Sequence, residues 1–330
     1  MVYILFVIGF FGLIYGAEWL IDGASALAKK TGVSGLVIGL TIVAFGTSLP
    51  ELIVSIFAIN SGAPALAIGN IIGSNVANTL LVLGVIAVMT PIYVRRVVVW
   101  REILFSLAAT LMLGVLVADV FLAGGDDAFV GLSRVDGVVL ISYFLIFLYY
   151  TFGKTWFPVE SEANPAVEKP EHHTFDVPNT IVKIIGGSLA LYFGGRWIVN
   201  GAIEIADLLS LSEGFIGLTI VAIGTSLPEL AASITAVRKK KEDIAIGNVI
   251  GSNLFNILWI LGLAATMQPL PFSNEQLSDV MIAIAVALIL LFTLTIGKHK
   301  HQISRSEGAM FLVLYAGYLI FVFTRSIGVF

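Results

Sequence analysis

The sequence predicts an all-α membrane protein of ten transmembrane helices, arranged as two five-helix repeats that enter the membrane from opposite sides. Two observations support this prediction: the hydropathy and an internal repeat. Of the 330 residues, 58% are hydrophobic and only 12% are charged, about half the charged share of a soluble domain. The apolar runs are long enough for helices of roughly 20 residues that cross a bilayer, whereas a β-barrel would need short alternating segments.

Hydropathy and helix-breaking residues define the predicted spans. The most polar stretch of the chain, which contains Pro158, Pro165 and Pro170, separates the first five from the last five. We therefore divide the chain into a first repeat at 1–153, a linker at 154–177 and a second repeat at 178–330. The ten spans lie near residues 2–27, 33–59, 64–90, 99–123, 135–153, 178–207, 212–237, 243–267, 277–297 and 307–326.

The positive charges fall mainly in alternate loops. Of the 18 Lys and Arg residues, only Arg134 and Arg325 lie on one side of the ten-span arrangement, and Lys183 and Arg196 fall within spans. By the positive-inside rule the richer side is cytoplasmic, so both termini are predicted outside and the linker inside a prokaryotic plasma membrane. The cytoplasmic set is Lys29, Lys30, Arg95, Arg96, Arg101, Lys154, Lys169, Arg238, Lys239, Lys240, Lys241, Lys298, Lys300 and Arg305.

Two polar strings recur at a constant offset of 178 residues. Residues 41–52 read TIVAFGTSLPEL and residues 219–230 read TIVAIGTSLPEL, identical at 11 of 12 positions. Residues 67–84 (AIGNIIGSNVANTLLVLG) and 245–262 (AIGNVIGSNLFNILWILG) agree at 12 of 18 positions. Because each unit has five spans, an odd number, the second copy must be inverted, an architecture of many secondary transporters. Packing alone would not preserve polar strings in mid-span, so they indicate function.

The GTSLPE string supplies oxygen ligands at a helix break. Pro50 lacks an N–H and clashes with the carbonyl four residues back, so span 2 is expected to break there and free backbone carbonyls. Thr47 and Ser48 add hydroxyls and Glu51 a carboxylate. Such backbone is tolerated at membrane depth only beside a cavity or buried in protein. Span 7 repeats the arrangement with Ala222, Thr225, Ser226, Pro228 and Glu229.

The second string adds hydroxyl and amide groups from spans 3 and 8, which are also expected to be broken. It carries Ser74 and Asn78 in one repeat and Ser252 and Asn256 in the other. An all-oxygen set suits hard cations such as Na⁺ and Ca²⁺, and it does not suit zinc, copper or iron. The chain has no cysteine, and all four histidines lie in predicted cytoplasmic segments. Two carboxylates give a charge of −2, which one Ca²⁺ neutralises, and Na⁺ ions could compete for the same oxygens.

The doubled strings resemble the α-repeats of the sodium/calcium exchanger family, in the cation/Ca²⁺ exchanger superfamily, and are most similar to those of its short prokaryotic members. The resemblance implies an antiporter that exchanges three Na⁺ for one Ca²⁺ by alternating access, with spans 1 and 6 sliding across the rest. It implies Glu51, Glu229 and the carbonyls of Thr47 and Thr225 as Ca²⁺ ligands. It implies flanking Na⁺ sites that also use these residues, one containing Ala44, Ser48 and Ser74, and the other Ala222, Ser226 and Ser252.

The residue type at position 256, an asparagine, differs from that of part of the family. Several members, including potassium-dependent ones, carry aspartate where Asn256 stands, whereas here Asn78 and Asn256 are both neutral amides. This difference argues against K⁺ co-transport, and the GSNxxN string argues against proton coupling. A proton- or K⁺-coupled cation antiporter of the same fold remains the alternative.

Two other classes of protein are less compatible with the sequence. A cation channel usually builds its pore from several subunits, whereas this chain supplies both halves of a site. A membrane enzyme lacks support, because no P-loop, metalloprotease string or serine–histidine pair occurs in the spans. The expected partners are inorganic cations and the lipid bilayer. No cofactor or nucleic acid is expected, and the oligomeric state is left open.

Overall fold

The computed structural model describes residues 2–60, 62–118, 130–156, 176–208, 222–296 and 300–326. These residues form twelve helices, among which seven are long and apolar enough to cross a membrane, and one bent pair brings that number to eight. The helices are α1 Val2–Thr31, α2 Gly35–Thr47, α3 Leu49–Asn60, α4 Pro64–Met89, α5 Arg96–Val117, α6 Arg134–Trp156, α7 Val177–Leu208, α8 Ala222–Thr225, α9 Leu227–Arg238, α10 Glu242–Met267, α11 Asn274–Ile296 and α12 Arg305–Ser326.

The two remaining predicted spans fall on α7 and on α8 with α9. Helix α7 has 32 residues, enough to cross a bilayer, but it does not reach the apolarity of the seven. The first part of predicted span 7 and most of the predicted linker at 154–177 lie outside the described residues. The prediction of a multi-helix membrane protein thus holds for eight spans, and the count of ten stays a prediction.

The break predicted in span 2 is present. Helices α2 and α3 meet at Ser48 with a bend of 46°. The backbone of Ser48 is not α-helical, with φ −84° and ψ 9°. Pro50 stands in the first turn of α3, where its missing N–H breaks no helical hydrogen bond. Ser226 separates α8 from α9 with nearly the same torsion angles, φ −85° and ψ 0°.

The breaks predicted in spans 3 and 8 are wrong. Helices α4 and α10 are continuous, but each widens into a π-helical stretch, at Asn78–Val82 and at Phe255–Leu261. The physical reason is that neither helix has an interior proline, so every mid-span residue keeps its N–H and the helix continues through the predicted break, with π-helical turns in place of an interruption. π-Helical turns are frequent at functional sites, and these two begin at or beside Asn78 and Asn256.

Helices α1 and α7 pack against each other along their length and run antiparallel. Gly9 lies against Gly194 and Gly16 lies against Gly187, so the residue numbers ascend on one helix as they descend on the other. A Cβ added at Gly187 would come within 2.6 Å of the Leu20 backbone nitrogen. Small residues at this spacing let two membrane helices approach at backbone distance. The antiparallel contact agrees with the opposite orientations predicted for the two repeats.

Four two-residue strands, which the sequence did not predict, join loops between helices. Strand β1 pairs with β4, and β2 pairs with β3, both antiparallel. Each pairing joins loops that the ten-span arrangement places on the same side of the membrane. On the predicted cytoplasmic side, Asp22 of α1 also forms an ion pair with Lys239 at 2.6 Å. The strands are β1 Ile92–Tyr93, β2 Gly131–Leu132, β3 Leu270–Pro271 and β4 Gln302–Ile303.

Helices α4 and α10 form the centre of the molecule. In their most apolar windows, 83% of the residues of α4 and 94% of those of α10 are buried, against 22–39% in the other five long apolar helices. Glycines bring α2 against α10: Gly39 lies against Gly247, and Gly251 against the Leu40 carbonyl. The two broken regions therefore face the two most buried helices.

The close approach of α2 to α10 should make Gly247 intolerant of a side chain. In Gly247→Ala, the new Cβ would lie 2.5 Å from the Leu36 carbonyl oxygen and 2.8 Å from the Leu40 nitrogen. We expect a loss of about 1–3 kcal/mol, measured as a lower melting temperature of the purified protein in detergent. Gly317→Ala is the control, because no described atom lies within 4 Å of that Cβ. Equal melting temperatures for the two variants would contradict the packing.

Candidate ion-binding site

Two glutamates lie at the centre of the protein, one in the first turn of α3 and one in the first turn of α9. The side chains of Glu51 and Glu229 are both 0% exposed, and their carboxylates are within electrostatic reach of each other. The partial positive charge of a helix N-terminus stabilises a carboxylate in its first turn. The preceding helices α2 and α8 end at the same place, so their C-terminal carbonyls, which favour cations, also point toward it.

Hydroxyl groups from both halves of the chain donate hydrogen bonds to the two glutamates. Ser48 donates a hydrogen bond to Glu229 Oε1 at 3.0 Å, and Ser252 donates to the same oxygen at 3.3 Å. Ser74 donates to Glu51 Oε1 at 3.3 Å and lies 3.3 Å from the hydroxyl of Thr225. Glu229 thus receives hydrogen bonds from both repeats, and Ser74 donates to the glutamate of its own repeat while contacting Thr225 of the other.

Thr47 completes this crossed arrangement. Its hydroxyl lies 3.4 Å from that of Ser252 and donates to Asn248 Oδ1 at 3.0 Å. The family resemblance implied a Na⁺ site that contains Ser74 together with Thr47 and Ser48. In the structure Ser74 instead contacts Glu51 and Thr225. The structure places Ser252, from the other repeat, with Thr47 and Ser48. The reason is that α2 packs on α10 of the opposite repeat and α8 packs on α4.

Asn248 bridges three elements around the second break. Its Nδ2 donates to the Glu229 carbonyl at 3.3 Å and to Ser233 at 3.1 Å, while its oxygen accepts from Thr47. Asn70 occupies the equivalent place and accepts from Thr225 at 3.2 Å. Ser233 has 0% exposure and is a site-supporting residue that sequence reasoning missed. The signal was available, because Ser55 stands at the same offset of 178.

Four acceptor oxygens at the centre have no hydrogen-bond partner within the part of the chain that the structure describes. They are Oε2 of Glu51, Oε2 of Glu229, Oδ1 of Asn78 and Oδ1 of Asn256, and all four residues are 0% exposed. Buried polar atoms are normally paired, and a group of unpaired ones points to an ion or a water. Among the described residues no Lys or Arg is buried. The arrangement therefore offers oxygen ligands and negative charge to a cation.

The two halves of the site differ in detail. Ser48 donates to Glu229, but the hydroxyl of its counterpart Ser226 is buried and has no hydrogen-bond partner among the described residues. Ala44 is buried at 0% exposure and its carbonyl accepts from the backbone N–H of Ser48 at 2.9 Å. Its counterpart Ala222 lies in α8 and is the first residue described after Leu208. The site is thus asymmetric although its sequence strings are nearly identical.

A multi-pass helical bundle with a buried, cation-accepting centre between two broken helices defines a membrane ion transporter. Comparisons with known proteins identify the family of transporters to which the chain belongs. A sequence model of the family described as sodium/calcium exchanger protein matches residues 1–153 and 180–324. The chain belongs to this family. It is therefore a transmembrane cation/Ca²⁺ antiporter, and the resemblance seen in the doubled strings is confirmed.

Relatives and solved structures extend this finding over the whole chain. The sodium/calcium exchanger MaX1 of Methanosarcina acetivorans is 32% identical over 348 residues, covering 97% of this chain and 98% of its own. The inner membrane protein YrbG of Escherichia coli K12 is 34% identical over 289 residues, covering 85% and 86%. The structure of the sodium-calcium exchanger NCX_Mj soaked with Na⁺ and Ca²⁺ superposes with a TM-score of 0.78 at 34% identity, covering 97% of each chain.

The crossed hydrogen bonds predict which residues are energetically coupled. Ser48→Ala and Glu229→Gln should be non-additive, with a coupling of roughly 1–3 kcal/mol, because the first removes the donor and the second the charge on the acceptor of one buried contact. Ser48→Ala and Glu51→Gln should be nearly additive. The measurement is the apparent Na⁺ dissociation constant, obtained by fitting the rise of the melting temperature with Na⁺ concentration. Ser74→Ala is the matched test and should couple to Glu51. Coupling of Ser48 to Glu51 instead would refute the crossed arrangement.

Proposed function

We propose that the protein exchanges Na⁺ for Ca²⁺ across a prokaryotic plasma membrane, by alternating access and with three Na⁺ for one Ca²⁺. The observation that carries the proposal is a set of four buried oxygens, two on carboxylates and two on amides, that have no hydrogen-bond partner among the described residues. No described Lys or Arg is buried with them. A carboxylate without a counter-charge is costly inside a membrane protein. The site therefore favours states in which cations or protons occupy it.

The charge balance favours Ca²⁺ as one of the two cargoes. Glu51 and Glu229 together carry −2 when ionised, and the two central side chains, Asn78 and Asn256, are neutral. One Ca²⁺ matches that charge, and Ca²⁺ takes 6–8 oxygen ligands, which the carboxylates, amides and freed carbonyls can supply. Three Na⁺ bring one more positive charge than one Ca²⁺. The exchange is therefore electrogenic in this proposal and is driven by both the Na⁺ gradient and the membrane potential.

The proposed ligands follow the crossed contacts. Glu51 and Glu229, with the carbonyls of Thr47 and Thr225, hold Ca²⁺ in the middle. One flanking Na⁺ site lies on the Glu229 side and the other on the Glu51 side, each also drawing on the central glutamates. The first is formed by Ala44, Thr47, Ser48, Ser252 and Glu229, and the second by Ala222, Thr225, Ser226, Ser74 and Glu51.

Exchange itself is tested in proteoliposomes loaded with Na⁺ and diluted into Na⁺-free medium that contains ⁴⁵Ca²⁺. We expect Na⁺-dependent Ca²⁺ uptake. Because each proposed cycle moves three Na⁺ out and one Ca²⁺ in, one net positive charge leaves the vesicle, so an imposed inside-positive potential should speed uptake and an inside-negative potential should slow it. Glu51→Gln and Glu229→Gln should each abolish uptake by removing a ligand. Glu275→Gln, at an exposed position on α11, should leave it unchanged.

The same vesicles separate the alternatives. Uptake that follows a pH gradient and ignores a Na⁺ gradient would replace the proposal with proton coupling. A requirement for K⁺ on the Ca²⁺ side would replace it with K⁺ co-transport. Retained exchange in both glutamine variants would remove the proposed site while leaving the transport activity in place.

The proposed orientation, with both termini outside, is tested with single cysteines, since the natural chain has none. Tyr93 in β1 is 70% exposed and lies in a predicted cytoplasmic loop, whereas Asn274 at the start of α11 is exposed and predicted outside. In intact cells a membrane-impermeant maleimide should label Asn274→Cys and not Tyr93→Cys. Permeabilised cells provide the control, because both variants should then react. The reverse pattern in intact cells would invert the orientation.

A further inference from the structure

A polar network lies behind the ion site, between the two most buried helices. Asn75 and Thr79 of α4 and Asn253 of α10 are each at most 9% exposed. Their side chains bond to one another, to backbone carbonyls and to the central asparagines 78 and 256. These hydrogen bonds form two hydrogen-bond chains, each of which starts at a backbone carbonyl, a group that can only accept.

The first chain fixes the orientation of Asn256. Asn75 contacts the Asn253 carbonyl oxygen at 3.2 Å, so the contacting atom must be its NH₂ group. The oxygen of Asn75 then faces Asn256 at 2.9 Å and must receive an N–H from it. The NH₂ group of Asn256 therefore donates to Asn75, and the side-chain oxygen of Asn256 is the atom left facing the site.

The second chain fixes the orientation of Asn78. The hydroxyl of Thr79 donates its one hydrogen to the Asn75 carbonyl at 3.0 Å. It can therefore only accept from Asn253, whose NH₂ lies 3.1 Å away. The oxygen of Asn253 in turn receives the NH₂ of Asn78 at 3.2 Å. Asn78, like Asn256, is left with an oxygen that has no hydrogen-bond partner among the described residues.

We propose that Asn75, Thr79 and Asn253 are positioning residues that compel both central amides to present oxygen, and not NH₂, to the transported cation. An amide that is free to turn would present a donor to the cation for part of the time. The inference rests on the proposed function, because it assumes that the centre binds cations. It extends that function by identifying residues that set the polarity of the site without touching the ion.

The network also requires a hydrogen-bond donor at position 256. A carboxylate there would place oxygen against the oxygen of Asn75, whose orientation the Asn253 carbonyl holds. Turning Asn75 to relieve this repulsion would set its oxygen against that carbonyl. The network therefore matches a neutral amide at 256 and keeps a third negative charge out of the site.

A double-mutant cycle tests the requirement for a donor. Asn75→Leu should raise the half-saturating Ca²⁺ and Na⁺ concentrations about 5–10-fold, the effect of losing roughly one hydrogen bond, because Asn256 loses its acceptor. In the Asn256→Asp background the same substitution removes a repulsion, so it should cause no rise. The readouts are ⁴⁵Ca²⁺ binding to purified protein and the Na⁺-dependent melting temperature. An equal loss in both backgrounds would show that Asn75 only packs α4 against α10, and would overturn the inference.

Thr79 provides a test that adds no charge. Thr79→Val keeps the shape and removes the acceptor for Asn253, so it should weaken cation binding about 3–10-fold, and Thr79→Ser should restore it. Thr110→Val is the matched control: Thr110 is 5% exposed, lines the same small cavity as Thr79, and donates only to the Ser106 carbonyl of its own helix. Equal losses in Thr79→Val and Thr110→Val, or no loss in either, would overturn the inference.

The two proposals fail in different ways. A wild-type protein that neither binds ⁴⁵Ca²⁺ nor takes it up against Na⁺ would remove the proposed Ca²⁺ exchange, while the Na⁺-dependent melting temperature would still test the network. A wild-type protein that exchanges Na⁺ for Ca²⁺ normally, with Asn75→Leu and Thr79→Val unchanged in their affinities, would leave the exchange in place and overturn the network.

Discussion

The burial of two carboxylates that have no basic partner among the described residues is the constraint on which the rest of this structure depends. Glu51 and Glu229 have no exposed surface, and an unpaired charge in such a place is costly. The surrounding elements lower that cost without cancelling the charge. Each glutamate lies in the first turn of a helix, accepts hydroxyl hydrogens through one oxygen, and leaves its other oxygen without a hydrogen-bond partner among the described residues. A basic side chain in the same place would stabilise the fold more strongly and leave no affinity for a cation.

The helix breaks follow from the same constraint. A continuous helix would have its N-terminus at the membrane surface, where the dipole could not stabilise a mid-membrane carboxylate. Interrupting the helices at Ser48 and Ser226 creates helix ends at the level of the glutamates. The interruptions must then be covered by protein, because irregular backbone is not tolerated in contact with lipid. Helices α4 and α10 provide that cover, which explains why they are the most buried helices and why their facing sides carry serine and asparagine.

Much of this could be predicted from the sequence, because the signals are local. Pro50 determines the break in span 2, and the repeated strings identify both glutamates. The grouping of the hydroxyls could not be predicted, since it depends on α2 packing against α10 from the opposite repeat, a contact that no local pattern encodes. The breaks expected in spans 3 and 8 were wrong for a related reason: glycines and asparagines resemble a break in sequence, but without an interior proline the hydrogen bonds persist in π-helical form. Helix α7, predicted as a span, is less apolar than its counterpart α1, and it carries Lys183 and Arg196 within the predicted span.

If the protein exchanges Na⁺ for Ca²⁺ as proposed, the asymmetry of the site corresponds to one of two related conformations. Two nearly identical strings in opposite orientations should have two conformations of similar energy, related by exchanging the roles of the repeats. In the structure Ser48 binds Glu229, whereas its counterpart Ser226 has no described partner. Exchanging the roles would release Ser48 and bring Ser226 to Glu51. Such a change would replace one hydroxyl–carboxylate contact with an equivalent one, so in the proposed alternating access it would cost little net free energy. The network of Asn75, Thr79 and Asn253 joins α4 to α10 directly and need not break during the exchange, so the central oxygens can keep their orientation while the access to them changes.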